Sequence, residues 1–166
     1  MPKPQASLTT LRRILQQEVL NGKRLIELTT AQTDAITRRE MSRLSHLEME
    51  MRQCLDVQET LDVSRTTTTR DLAVSLGMET VPNLSGLLPK LPQRDRVVLS
   101  QLRTQILEIQ AKLDTISAKN KALIHTTLDF VRFSLDIITE AAFQPARYGT
   151  NPASLAVPTL YIDSKV

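Results

Sequence analysis

Near the start of the chain, apolar residues recur at Leu8, Leu11, Leu15 and Val19, in steps of three and four that gather them on one side of a helix. The pattern predicts a first helix over about 8–29, capped by Ser7 or Thr9, whose hydroxyl can accept from a free backbone N–H. Thr30 to Asp34 (TAQTD) interrupts it and predicts a break, after which Thr33 or Asp34 caps a second helix. That helix, over about 34–76, carries Leu44, Leu47, Met51, Cys54 or Leu55, Leu61, Leu72 and Leu76 at helical spacing, and Gly77 closes it. Within it, Arg65 to Arg70 (RTTTTR) is a run of poor helix formers, because β-branched Thr loses rotamer freedom against the preceding turn. The run predicts a solvated helix face or a place where the helix frays.

The most regular stretch lies between about 93 and 143. Leu99, Leu102, Ile106, Ile109, Leu113 and Ile116 alternate steps of three and four, the seam of a coiled coil. The same register puts Asn120 on the seam, and beyond it an apolar face resumes as Ile124, Leu128, Val131, Leu135, Ile138 and Ala142. The phase therefore shifts near Asn120, and a seam Asn fixes register at some expense of stability. At 1.5 Å per residue this helix is about 75 Å long, which calls for antiparallel partners.

The eight prolines fall in three places only: Pro2 and Pro4 ahead of the first helix; Pro82, Pro89 and Pro92 in a linker over about 77–92; and Pro145, Pro152 and Pro158 in a C-terminal tail. The expected architecture is all-α, a long antiparallel helical hairpin or coiled-coil-like bundle over 1–143, followed by a flexible tail over 144–166. A chain of 166 residues suits a single core, and an aromatic content of 3% disfavours sandwiches and barrels. The net charge of +3 arises in the first 33 residues, the rest being nearly balanced. Arg12, Arg13, Lys23 and Arg24 thus form a small cluster with no aromatic nearby for stacking, and no nucleic-acid partner is expected.

Candidate chemistry is sparse. No Glu has a His three positions later, so the carboxylate–histidine pairs of a di-metal bundle are missing from the sequence, as are nucleophile-elbow, zinc-protease, P-loop and dinucleotide glycine patterns. His46 and His125 stand alone and receive no role, and Glu48 and Glu50, two residues apart, point in different directions on a helix. No enzyme activity, cofactor or metal is expected. The lone Cys54 fits a reducing compartment and a core position, and no apolar run reaches membrane-spanning length; the expectation is a cytoplasmic protein without membrane insertion.

Phe130, Phe133, Phe143, Tyr148 and Tyr161 are all the aromatics, and none precedes residue 130. Phe130 and Phe133 either complete a core at one end of the bundle or offer a binding surface, since aromatics bury large area at little entropic loss. Tyr148 and Tyr161 lie in a Pro-, Gly- and Asn-bearing tail where burial needs a partner or a groove.

This organisation resembles the flagellar export chaperones of the FlgN type. The features that carry the resemblance are the Leu-rich first helix, the segment opened by Asp34-Ala35-Ile36 and closed by Leu76-Gly77, the long helix with Asn120 to Ile124 and an apolar face ending near Phe143, and Tyr148-Gly149 at the head of the tail. The resemblance implies a non-enzymatic chaperone. It would bind the C-terminal helical region of hook-associated proteins, prevent their premature assembly and deliver them to an export-gate component. It further implies a client-binding face of Ile124, Leu128, Val131, Leu135, Ile138 and Phe143, and an export-gate contact at Tyr148. A generic coiled-coil scaffold that forms homo-oligomers through the seam is the competing reading.

Overall fold

A computed structural model describes residues 4–78 and 83–143, with side chains described as far as residue 140. The chain divides into two units, 1–127 and 128–166. Among the described residues there are helices and turns but no strand: α1 (Pro4–Arg38), α2 (Met41–Ser75), the single turn α3 (Leu84–Leu87) with a 3-10 turn over Leu88–Lys90, and α4 (Gln93–Phe143). The tail over 144–166 lies outside the described residues.

α1 begins earlier and ends later than its apolar spacing predicts. Pro4 is its first residue, a position where the missing N–H has no helical partner to lose, so neither Ser7 nor Thr9 acts as a cap. The predicted break at Thr30–Asp34 is absent, and Thr33 and Asp34 cap nothing. Thr29, Thr30 and Thr37 turn their hydroxyls back onto the carbonyls four residues earlier, which satisfies the hydroxyls without favouring the helix; the helix runs through this stretch because Ala31 and Ala35 pack with Leu28 and Leu47. Tertiary contact overrides the weak helix propensity of Thr. The same holds for Thr66 to Thr69, which are fully helical, with Thr69 buried.

The chain reverses instead at Arg39, which adopts a left-handed backbone conformation, φ 60°. Arg39 N–H donates to the Ile36 carbonyl and Glu40 N–H to the Ala35 carbonyl, so two carbonyls at the helix end are satisfied in a Schellman arrangement built without glycine. α2 then returns antiparallel to α1. The pairs Asn21 with Gln58, and Arg24 with Glu50 at 2.6 Å, descend one helix as they climb the other. Cys54 is half-buried against the Leu28, Ala35 and Leu47 cluster, whereas its neighbour Leu55 faces water.

α2 ends as the sequence expects, at Gly77. Its φ of 69° lets Gly77 N–H reach the Val74 carbonyl and Met78 N–H the Ala73 carbonyl, and Met78 packs into the core beside Ala73. The segment over 77–92 is more than a linker. Asn83 caps α3 by accepting from Gly86 N–H at 3.0 Å, and Leu87 and Leu91 are buried with Leu8, Leu11, Leu15, Leu72 and Leu99. Each of these leucines contributes about 2 kcal/mol by leaving water.

Within the first unit α4 runs parallel to α1. Gly22 meets Ile109, and about two to three turns further along α1, Thr29 and Thr33 meet Asn120. A β-carbon at Gly22 would stand 2.7 Å from the Ile109 Cγ2 methyl, so glycine sets the closeness of the two helices there. Asn120 is 3% exposed. Its Nδ2 donates to the Thr29 carbonyl and to Gln32 Oε1, both at 3.0 Å, and its Oδ1 accepts from the Thr33 hydroxyl at 2.6 Å. The seam residue expected to fix register is thus tied on both its donor and acceptor sides to one helix.

Two stability effects are expected. Arg39→Gly should raise unfolding stability by about 1 kcal/mol, because the left-handed position strains a side-chain-bearing residue. Asn120→Ala should lower it by about 1–2 kcal/mol through the stranded partners on α1. Urea unfolding of each variant against the wild type checks both.

Candidate functional site

A buried carboxylate meets a guanidinium inside the first unit. Glu18 of α1 is 4% exposed and accepts from Arg65 Nε of α2 at 2.9 Å; Arg65 also pairs with Asp62. Around them a cleft of about 370 Å³ is lined by Leu15, Gln58, Leu84, Arg103 and Ile106 among others. Burial pushes the Glu18 carboxyl above its ordinary value of 4.5, and the hydrogen bond and charge of Arg65 pull it back only in part. An acid tied to a guanidinium and flanked by a second carboxylate is a helix-to-helix link. It offers no nucleophile with an adjacent base. Among the described residues no three of His, Cys, Asp and Glu gather to hold a metal, and no helix is long and apolar enough to cross a membrane. His46 lies beside Glu50 on the surface, 3.3 Å away.

The second unit carries the opposite feature, large apolar side chains that stay in water. In the part of α4 from Leu128 onward, Leu128, Val131, Leu135 and Ile138 fall on one stripe and are 46–63% exposed. They are four of the residues that the resemblance marks as client-binding. Ile124, a fifth, belongs to the first unit and is 41% exposed. The side chain of Phe143, and all of Tyr148, lie outside the described residues.

Sequence spacing missed a second stripe. Phe130, Phe133 and Ile137 are 57%, 63% and 50% exposed. At 100° per residue this stripe and the first are centred roughly 150° apart. On one side Ser134 lies between them, its hydroxyl donating to the Phe130 carbonyl at 2.8 Å. The crowding of all aromatics beyond residue 129 was the one signal of this surface in the sequence.

Residues 1–153 match the family model described as FlgN protein. The chain belongs to the FlgN family. Its helical bundle is therefore that of a flagellar export chaperone, a family of binding proteins rather than enzymes. Neither the curated proteins nor the solved structures yield a match to this FlgN-family chain.

The buried acid makes FlgN-fold stability depend on pH in a defined direction. Because folding raises the Glu18 pKa, the folded chain holds the proton more tightly, and stability falls as pH rises from 4.5 through the raised value. Glu18→Gln should remove this slope. The stability of the wild type relative to the variant should then decline across that window and level off above it, as read by urea unfolding at a series of pH values.

Proposed function

We propose that this FlgN-family chain acts in the cytoplasm as the chaperone of hook-associated proteins, receiving their C-terminal helical region on the stripe formed by Leu128, Val131, Leu135 and Ile138. What supports the reading is the exposure of these four side chains in succession on one side of a helix. An amphipathic client helix laid against them removes apolar area from water on both partners, about 1.5 kcal/mol or more for each large side chain that becomes fully covered. Covering the client's own sticky helix prevents premature assembly. Tyr148 in the tail is the contact for an export-gate component, to which the loaded chaperone delivers its client. No bond is made or broken in this cycle.

Val131→Asp combined with Leu135→Asp should reduce capture of a hook-associated protein in co-purification by about tenfold or more, with helicity preserved because both positions face water. Undiminished capture would remove these residues from the client site. Truncation after Phe143 should leave capture intact and abolish binding to the export-gate component. A chain that captures nothing and elutes as a stable oligomer is a coiled-coil scaffold.

A further inference from the structure

A client helix seated along Val131 and Leu135 leaves Phe133 and Ile137 in water, since the two stripes face directions roughly 150° apart. Phe133 is among the most exposed large apolar side chains of the described residues. The border of its stripe is distinctive in charge. Asp129, Asp136 and Glu140 follow one another at steps of seven and four and fall on the side of α4 next to Phe133. Arg132 lies between this row and the Val131 stripe, its guanidinium 4.0 Å from Asp129.

The acidity is local. The chain as a whole carries +3, and the earlier part of α4 bears Arg94, Arg96, Arg103, Lys112, Lys119 and Lys121. An acidic row beside an aromatic stripe selects a partner with the opposite sign at its edge. It also disfavours a second copy of this chain, which would bring its own acidic row to the same edge.

We propose that the Phe133 and Ile137 side of α4 is a second docking face, which takes an amphipathic helix bearing Lys or Arg beside its apolar stripe and is occupied together with the Val131 and Leu135 side. It rests on the reading of this part of α4 as a helix receiver and adds a separate face with its own selectivity. The chaperone then encloses two helical segments around one helix of its own, with the basic edge of one of them set against Asp136 and Glu140.

The test uses the full chain and two synthetic amphipathic peptides with the same leucine stripe, one flanked by lysines and one by glutamates, with binding followed by fluorescence anisotropy. The lysine peptide should bind, more weakly at high salt. Measured in the Val131→Asp plus Leu135→Asp background, which closes the first stripe, its affinity should fall about tenfold on adding Asp136→Lys plus Glu140→Lys, and by at least as much on adding Phe133→Ser plus Ile137→Ser. Circular dichroism confirms that each variant keeps its helices; the charge reversals lie on the exposed surface and report even if the serine variant loosens α4. In that background, equal binding of the glutamate peptide, or no binding of the lysine peptide, would each overturn the proposal. Failure of the client reading is seen separately, in the capture of hook-associated proteins, which has no part in the peptide measurement.

Discussion

The carboxamide of Asn120, buried in an apolar seam, has to find partners for its donors and its acceptor, and all of them come from α1. That requirement fixes which turn of α4 lies beside which turn of α1. A slip of one turn would bring Ile116 or Ile124 to the Thr29 and Thr33 site and leave polar groups facing methyls. Once these two parallel helices are in register, the rest of the first unit is constrained. α2 must return between the end of one and the start of the other, Gly22 must stay bare where Ile109 approaches, and the leucines from Leu8 to Leu99 close into a single cluster.

Much of this was legible in the sequence. The three-and-four spacing marked the buried side of α1 at Leu8, Leu11 and Leu15, the seam of α4 and the place of Asn120 on it, and Gly77 announced the end of α2. The reversal at Arg39 was not legible, because it uses a left-handed residue with neither glycine nor proline to mark it. The opposite error arose at Thr30–Asp34, where residues with poor helix propensity are held helical by packing contacts that only the folded chain supplies. Leu87 and Leu91 sat among prolines in a stretch too short for any period to show. After the phase shift at Asn120 the spacing traced only the Leu128 and Val131 stripe; it left Phe130 open between core and binding surface and gave no reading of Ile137, both of which are exposed.

The two units divide polar and apolar groups in contrasting ways. In the first, a carboxylate and a guanidinium are drawn together between α1 and α2, where loss of either would strand the other. In the second, apolar surface is left open, a state that soluble proteins reserve for places where something else is to be bound. The acids bordering Phe133 and the alternation of charge along α4 keep that surface hydrated at its edges.

The join between α2 and α4 places two leucines, Leu87 and Leu91, in the interior of the first unit, whereas the join between α1 and α2 is two residues long and buries neither of them. The two connections therefore differ in how freely they can drift over evolutionary time. The α1–α2 turn can gain residues, or become the site of new termini in a permuted chain, with little loss of apolar contact. The Pro-bearing α2–α4 connection, which sequence alone presents as a spacer, is pinned at Leu87 and Leu91, and a change of length between those two would pull a core side chain out of place.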